Sequence, residues 1–258
     1  MEVGVREKTK NNKIELYPEF VTTKSKDLMI RAGDFYAIWN EDRGCWSTDL
    51  DDVITLIDKK LEDYKNDHPK YEDANIRYMR YSSSGSIDQW WKYVKSQLRD
   101  NYCPLDQKLV FLNDPPRRED YSSKRLNYDL KEGNYSAWDE LVGTLYEPTE
   151  RHKIEWAIGA VVSGDSKELQ KFLVLYGDSG TGKSTILNII CELFKGYYAM
   201  FIAKELGAAN SDFSLEAFKD NPLVAIQQDG DLSHIDDNTR LNSLVSHEEM
   251  VVNMKFAK

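Results

Sequence analysis

The spacing of apolar and polar residues in the first part of the chain predicts short, mixed elements. DFYAIWNEDRGCW, residues 34 to 46, places aromatic residues on either side of an N-E-D-R-G turn, which favours a small hairpin. Thr48 can cap a following helix, with Asp51 at its third position. The apolar residues from Val53 to Tyr64 then recur at helical spacing, so we expect one face of this helix to be buried.

A second helix and the boundaries of the first segments follow from the same kind of pattern. Ser86 and Gln89 form another capping box ahead of an apolar stripe, which completes a small, mostly helical α+β domain over residues 34–103. Residues 1–33 are polar and mixed in charge, and we expect them to be loosely ordered. Residues 104–134 contain NDPPRRED, whose prolines exclude a helix or a central strand, so we expect a linker with solvated basic residues.

From residue 135 onward the pattern alternates between helices and strands. Helices are expected from Ser136 and from Pro148, and Gly164 ends the second of them. Two further helices are expected over residues 183–195 and 237–245. The predicted strands share a short, apolar composition and comprise residues 171–176, 197–202, 223–226 and 250–256. Because strands that alternate with helices form parallel sheets, we expect an α/β domain whose sheet is covered on both faces.

A glycine-rich loop joins the first of these strands to its helix in FLVLYGDSGTGKST, residues 172 to 185. It has the pattern G-x-x-x-x-G-K-[ST], which is typical of phosphate-binding loops. The residues of the loop are Gly177, Asp178, Ser179, Gly180, Thr181, Gly182, Lys183, Ser184 and Thr185. Its three glycines permit backbone conformations that let N–H groups point at a chain of phosphates. The sequence therefore predicts a nucleotide-binding site and a P-loop NTPase sheet around it.

Two side chains of the loop suit ATP with magnesium. Lys183 can place its charge on the β- and γ-phosphates, and the hydroxyl of Ser184 can ligate Mg²⁺. The helix that begins near Lys183 directs the positive end of its dipole at the same phosphates. We therefore expect ATP and Mg²⁺ as cofactors.

A site for phosphoryl transfer also needs an acidic residue at the end of a neighbouring strand, where it holds Mg²⁺ or polarises water. LVAIQQDGDL, residues 223 to 232, offers Asp229 as the first choice and Asp231 as the second. A strand followed by an ordinary Asp-Gly turn would give the same letters. We take Asp229 as the metal-binding residue and, with Lys183, as a catalytic residue.

The composition limits the classes of partner and compartment. The 258 residues carry a net charge of -10, so no broad basic face for nucleic acid is expected, although a local basic loop is compatible with it. Three separated cysteines and four scattered histidines argue against disulfides and zinc. The apolar runs are too short to span a bilayer, and the N-terminus has no signal-peptide pattern. We expect a cytoplasmic protein without a membrane partner.

Taken together, these motifs resemble the superfamily 3 helicases of the phage and plasmid primase–helicase type, which also includes poxvirus-like members. The resemblance is carried by LVLYGDSGTGKSTILNII, LVAIQQDGDLS and LNSLVSHEEMVVNMKFAK, and it extends over roughly residues 34–258. It implies an AAA+-like P-loop sheet and ATP hydrolysis that drives DNA translocation in a homo-hexameric ring. In a bacterial host, a phage- or plasmid-encoded member would be cytoplasmic.

The resemblance assigns roles to individual positions. Lys183 and Ser184 match the nucleotide and magnesium positions of the family, and Asp229 falls at or near its acidic position. The family has two adjacent acidic residues there, whereas this chain has two glutamines before Asp229, which leaves the catalytic base open. MVVNMKFAK matches a hairpin that touches DNA in the ring, so Lys255 and Lys258 are candidate DNA contacts. Two solvated lysines would look the same.

The family pattern continues beyond the last motif, with a polar sensor residue and an arginine that completes the neighbouring ATP site. We therefore expect this chain, which ends at Lys258, to be a C-terminally truncated fragment of low activity. Two other function classes fit the motifs. One is a P-loop ATPase that regulates without unwinding, and the other is a non-catalytic replication adaptor.

Overall fold

The computed structural model describes residues 3–19, 28–31, 35–98, 105–206, 215–219, 221–228, 230, 238–248 and 250. The chain divides into two compact units. Unit 1 consists of Met1–Leu105 together with Pro116–Ser123, and unit 2 consists of Asp106–Pro115 together with Lys124–Lys258. Both units are mixtures of helices and small sheets, and each is described by itself below.

Unit 1 begins with a hairpin of two strands, Gly4–Lys10 (β1) and Lys13–Glu19 (β2). The two turn residues, Asn11 and Asn12, have φ values of 51° and 58°. Two successive left-handed residues make a turn whose twist matches the twist of the strands, and asparagine tolerates that conformation. A short strand, Asn75–Ile76 (β6), adds to β2 in parallel. Residues 1–33 were expected to be loosely ordered, but residues 4–19 are ordered by this pairing and by burial of Leu16.

The aromatic hairpin predicted at residues 34 to 46 is confirmed and has a third strand. Leu28–Arg31 (β3), Phe35–Asn40 (β4) and Cys45–Ser47 (β5) form an antiparallel sheet in that order. The helix Leu50–Asp67 (α1) follows. Its N-cap is Asp49, whose carboxylate accepts a hydrogen bond from the N–H of Asp51 at 2.9 Å, so the prediction of Thr48 as the cap was wrong by one residue.

The second helix of unit 1 is Ser84–Leu98 (α2), which begins two residues before the predicted capping box at Ser86. Short 3₁₀ turns at Pro69–Tyr71 and Met79–Tyr81 precede it. The main core of the unit lies where α1 and α2 meet β4, and its side chains share almost complete burial. They are Ile38, Val53, Ile54, Ile57, Met79, Trp90 and Trp91.

The segment 116–123, which belongs to unit 1, is held by the aromatic hairpin. The indole of Trp46 donates a hydrogen bond to the carbonyl of Arg118 at 2.9 Å, and its ring stacks on Tyr121 with 6.1 Å between centroids. The guanidinium of Arg118 lies over the ring of Trp39 and pairs with Glu41 at 3.1 Å. Part of the predicted linker over residues 104–134 is therefore packed structure rather than a solvated loop.

Unit 2 contains the remaining helices. They are Ser136–Leu145 (α3), Pro148–Ser163 (α4), Ser166–Leu169 (α5), Lys183–Leu193 (α6), Ala203–Leu206 (α7) and Thr239–Val245 (α8). Pro148 occupies the first turn of α4, and Gly164 ends that helix at a φ of 80°, as predicted. The core of the unit lies around α6 and includes Val142, Ile154, Ile186, Ile190, Phe194, Tyr197 and Ile226.

Two strands of unit 2 pair in parallel, Tyr198–Met200 (β7) and Val224–Ile226 (β8). A 3₁₀ turn at Glu216–Phe218 lies between them in the chain. Tyr197, just before β7, is buried and donates its hydroxyl proton to the carbonyl of Lys124 at 2.6 Å. This pair is the only parallel pairing within the described part of unit 2, so a larger P-loop sheet stays a prediction.

The prediction of a buried strand over residues 171–176 was wrong. This segment has no strand assignment, and Phe172, Val174 and Tyr176 expose 56%, 54% and 98% of their surface. Leu175 alone reaches the core. The physical reason is that no neighbouring strand in the described residues offers hydrogen bonds to this backbone. The last predicted strand, residues 250–256, lies outside the described residues except for Met250.

Helices long and apolar enough to cross a membrane do not occur in the described part of the chain.

Candidate functional site

The glycine loop has the backbone that its sequence predicts. Gly177, Gly180 and Gly182 have φ values of 148°, 84° and 80°, a range that residues with a side chain rarely adopt. The loop leads directly into α6, whose N-cap is Gly182. Glycine at this position brings no side chain that could accept hydrogen bonds from the first turn of the helix. These N–H groups therefore remain available to an anion.

Gly182 is also required by its neighbour in α3. A Cβ atom at this position would lie 2.6 Å and 3.0 Å from the two methyl groups of Leu145. Gly180, in contrast, has open space around the corresponding position. Thus Leu145, at the end of α3, excludes a side chain at the point where the loop becomes helix. In the middle of the loop, no neighbouring atom excludes a side chain at Gly180.

The side chain of Lys183 closes the loop on itself. Its ammonium group donates hydrogen bonds to the carbonyl oxygens of Gly177 at 2.9 Å and Asp178 at 2.6 Å. Thr181 donates its hydroxyl proton to the same carbonyl of Asp178 at 2.9 Å. Among the described residues no carboxylate forms an ion pair with Lys183, so its charge is balanced only by neutral dipoles. A charge in this position can attract a phosphate group.

Helix α6 holds the loop on one side and exposes functional groups on the other. Ile186 and Ile190 are buried in the core of unit 2, one helical turn apart. Ser184 and Thr185 are exposed at the helix start, where a bound phosphate or metal ion could reach their hydroxyl groups. The apolar run ILNII is thus explained by the need to anchor this helix while its first turn stays open.

The end of β8 lies against the same helix. The amide of Gln228 donates a hydrogen bond to the side-chain oxygen of Asn188 at 3.4 Å. Asn188 lies one helical turn after Ser184, on the same face of α6. The neighbouring Gln227 accepts a hydrogen bond from the backbone N–H of Ala203 at 2.8 Å. The strand that was predicted to carry the acidic residue therefore ends beside the helix that follows the glycine loop.

The acidic residues themselves, Asp229 and Asp231, lie outside the described residues, as do Lys255 and Lys258. Their predicted roles stay predictions. In the described ranges no group of three or more histidine, cysteine or acidic side chains is arranged to hold a metal ion.

A cleft of about 500 Å³ opens where α3 meets α4. It includes Leu145, which touches the Cβ position of Gly182, so the cleft adjoins the glycine loop. Its other walls are the helix connection and the first turns of α4, formed by Gly143, Thr144, Tyr146, Glu147, Pro148, Arg151, His152 and Glu155. Its size is in the range of small-molecule sites. Sequence analysis did not identify this cleft, because the contact between Leu145 and Gly182 has no counterpart in a linear pattern.

A network of charged groups stiffens one wall of the cleft. The guanidinium of Arg151 pairs with Asp139 and with Glu155, the latter at 2.7 Å. The indole of Trp138 donates a second hydrogen bond to Glu155 at 2.8 Å. The hydrogen bonds from Trp138 and Arg151 hold the pKa of the Glu155 carboxyl below its ordinary value. The spacing of Arg151 and Glu155, one helical turn apart on α4, was a sequence signal for this pair.

Tyr146, which lines the same cleft, has a buried hydroxyl. This hydroxyl has no hydrogen-bond partner among the residues that the structure describes. Burial raises the pKa of this phenol, which therefore stays protonated at neutral pH. An unsatisfied buried hydroxyl costs about 1–3 kcal/mol, and a ligand or water that accepts its proton would recover this energy.

Comparison with known proteins adds one finding. Residues 175–258 match the model of a family of unknown function, DUF5906. The match begins at Leu175, so it includes the whole glycine loop, α6 and β8. No curated protein and no solved structure matches the chain.

Proposed function

We propose that this chain binds ATP with Mg²⁺ on the loop of residues 177–185 and belongs to a P-loop ATPase of the DNA-helicase type. The observation that carries the proposal is the position of Lys183. Its ammonium group spans the ends of a loop whose three glycines have the required backbone angles, and it has no acidic partner among the described residues.

The chemistry of the loop supports a phosphate chain as its ligand. A triphosphate would replace the carbonyls of Gly177 and Asp178 as the partner of Lys183, exchanging neutral acceptors for charged ones. Hydrogen bonds between charged groups are roughly twice as strong as neutral ones. The open N–H groups of the first turn of α6 would bind the same anion, and Ser184 would hold the magnesium ion that accompanies it.

The position of β8 supports the second half of the proposed site. Gln228 contacts Asn188, which shares a face of α6 with Ser184. An acidic residue just after this strand, which we propose to be Asp229, would therefore be close in space to the metal-binding hydroxyl. Such a residue holds Mg²⁺ through water or polarises the attacking water.

The cleft beside Leu145 supports a nucleotide rather than a free phosphate. It gives a neighbouring space of about 500 Å³ that a base and a ribose could fill. We propose that the base binds between the end of α3 and the start of α4, in the cleft that Tyr146 and Pro148 line.

The helicase part of the proposal rests on the resemblance of the three motifs to superfamily 3. It includes DNA as a partner, a homo-hexameric assembly and a cytoplasmic location. A regulatory ATPase without unwinding remains the second candidate, since it needs the same loop and the same acidic strand. DNA-stimulated phosphate release separates these two classes.

Replacement of the loop lysine tests the nucleotide site directly. Lys183→Ala removes a charge-assisted contact, which should cost about 1.5–3 kcal/mol of binding free energy for MgATP. We expect roughly a tenfold or greater loss of affinity in calorimetric titration. Lys195→Ala is the matched control, because Lys195 is exposed beyond the other end of α6, where it pairs with Glu192. Equal affinities of wild type and Lys183→Ala would contradict the proposal.

Phosphate release tests the catalytic part. An arginine supplied in trans by a neighbouring subunit is worth roughly 10³–10⁵ in rate for related reactions. A single chain without such a neighbour should therefore bind MgATP but turn it over slowly. Steady-state turnover above about 1 s⁻¹, within the ordinary enzyme range, would show that it assembles a complete site by itself.

A further inference from the structure

In the hairpin β1–β2, the basic side chains lie on one face of the sheet. Residues that lie opposite each other in an antiparallel pair point to the same side of the sheet. Arg6 is opposite Tyr17, Lys8 is opposite Glu15, and Lys10 is opposite Lys13. Four basic side chains from an otherwise acidic chain are thus placed on one face, here called the basic face.

The other face of the hairpin is the buried one. Leu16 is completely buried there and packs with Val5 and Ile14 against the core of unit 1. Glu7 also belongs to this face, where its carboxylate accepts a hydrogen bond from the hydroxyl of Tyr71 at 2.6 Å and lies 4.0 Å from Lys70. The strand alternation therefore removes the acidic residue of β1 from the basic face.

The negative charge of the acidic residue in the middle of the basic face is compensated by an ion pair. Glu15 accepts hydrogen bonds from the guanidinium of Arg77 and from the hydroxyl of Tyr17, the latter at 2.6 Å, and its side chain is almost completely covered. The hydrogen bond from Arg77 is the main cause that lowers the pKa of Glu15. Glu19 lies at the far end of the same face, opposite Gly4. Near the turn, the face is therefore positive.

We propose that the basic face binds single-stranded nucleic acid through its phosphate groups. Arg6, Lys8 and Lys10 alternate along β1, so they form an exposed row about 14 Å long, enough for a few nucleotides. Arg6 and Lys8 lie 5.7 Å and 5.6 Å from the centre of the Tyr17 ring, which keeps both cations side by side. The inference is independent of the proposed ATPase site, because it concerns residues of unit 1 alone.

The composition of the face favours a nucleic acid over a membrane surface. Membrane-surface segments combine cations with large apolar side chains that enter the bilayer. On the basic face the half-buried ring of Tyr17 is the sole aromatic group, and the exposed turn adds the amides of Asn11 and Asn12. Amides and a row of cations are suited to phosphate and sugar oxygens. The row is a single line and not a broad surface, which suits one strand better than a duplex.

Fluorescence anisotropy with a labelled oligothymidylate tests the proposal on the whole chain without nucleotide. In the double variant Lys8→Gln and Lys10→Gln, two phosphate contacts are lost. We expect about tenfold weaker binding at low salt, and a plot of log affinity against log salt that is less steep by about 1.4, since each contact to a single strand contributes about 0.7. The matched control is Lys59→Gln with Lys60→Gln, two exposed lysines of α1 with the same change in charge.

The outcomes separate the possible partners. Loss of affinity in the β1 variant alone supports the proposal, whereas an equal change in both double variants, or in neither, overturns it. Tighter binding to phosphatidylserine-containing vesicles than to oligothymidylate would also overturn it, in favour of a membrane. Titration of MgATP into the β1 variant should give the wild-type affinity, so failure of this inference and failure of the nucleotide site are distinguishable.

A crosslinking experiment keeps the inference testable if the β1 variant aggregates. Lysines on an edge strand such as β1 also prevent strand pairing between molecules, so their loss has a second effect. Wild-type protein irradiated with bromodeoxyuridine-substituted oligonucleotide should give crosslinks within residues 4–19 by mass spectrometry. Crosslinks confined to other peptides would contradict the basic face as the binding surface.

Discussion

Two apolar segments of this chain look alike in sequence and differ completely in their surroundings. In the hairpin of β4 and β5, Trp39 and Trp46 are buried and their rings meet edge to face with centroids 5.8 Å apart. In the segment FLVLY, Phe172 and Tyr176 are largely exposed. Both segments are rich in residues with high strand propensity.

The difference comes from the available partners. Strand β4 has a hydrogen-bonded neighbour on each side, β3 and β5, and the segment 116–123 covers Trp46. The backbone of residues 171–176 has no paired strand in the described residues. Strand propensity therefore describes how well a residue suits a sheet, and the sheet itself depends on neighbours that the local sequence does not contain.

The largest change in the free energy of unfolding is expected when a buried aromatic ring is removed from the first segment. Trp46→Ala deletes a fully buried indole and its hydrogen bond to Arg118, so it should lower the free energy of unfolding by about 3–5 kcal/mol. Phe172→Ala should change it by about 0.5 kcal/mol or less, as for surface residues. Urea unfolding followed by far-ultraviolet circular dichroism measures both. A large loss in Phe172→Ala would mean that this segment is packed in solution.

A second comparison concerns two glycines of the loop before α6 and their effect on the stability of that helix. Gly182→Ala combines a left-handed alanine, at about 1–2 kcal/mol, with a collision against Leu145, at about 1–3 kcal/mol. Gly180→Ala carries only the first cost, because open space surrounds its Cβ position. Hydrogen exchange of the α6 amides should accelerate more in Gly182→Ala than in Gly180→Ala.

The collision can be separated from the backbone cost. Adding Leu145→Ala to Gly182→Ala removes the clashing methyl groups, so the double variant should exchange more slowly than the sum of the two single changes implies. Purely additive effects would show that Leu145 of α3 does not limit the loop at Gly182.

The smallest effect on stability is expected from the charged network that joins the first turn of α3 to α4. The pKa of Glu155 is lowered in the folded state by hydrogen bonds from Trp138 and Arg151, so its contribution to stability is present above the ordinary value of 4.5. It is lost as the pH falls through the depressed folded value. Glu155→Gln should therefore flatten the decline of melting temperature with acid below about pH 4.5.

Glu150→Gln is the control for this measurement, because Glu150 lies on an exposed part of the same helix and pairs with Lys153. It should leave the acid slope close to that of the wild type. An unchanged slope in Glu155→Gln would mean that the network does not contribute to stability in solution.

Much of the local structure could be predicted from the sequence, for reasons visible in single residues. Pro148 and Gly164 mark both ends of α4, and the glycines of the loop have the backbone angles that their pattern requires. The hairpin β4–β5 follows from its turn and its aromatic residues. These features depend on neighbours a few positions away, which a linear pattern contains.

The parts that sequence analysis missed depend on distant residues. Leu145 limits Gly182 across 37 positions, and Tyr197 binds the carbonyl of Lys124 across 73. The order of residues 4–19 depends in part on a parallel strand near residue 75. The basic face was missed because the counts of basic and acidic residues in β1 and β2 nearly cancel, and only the alternation of strand faces separates them.

The contacts of the segment 116–123 limit how the polypeptide can be divided into separate units. The chain passes from unit 1 to unit 2 after Leu105, returns for Pro116–Ser123, and leaves again at Lys124. No single cleavage point yields two complete units, since a cut after residue 105 takes away the backbone oxygens that bind Trp46. Limited proteolysis or gene fusion at this boundary would therefore expose an indole that the intact polypeptide keeps covered, and each half would need the other's sequence to be whole.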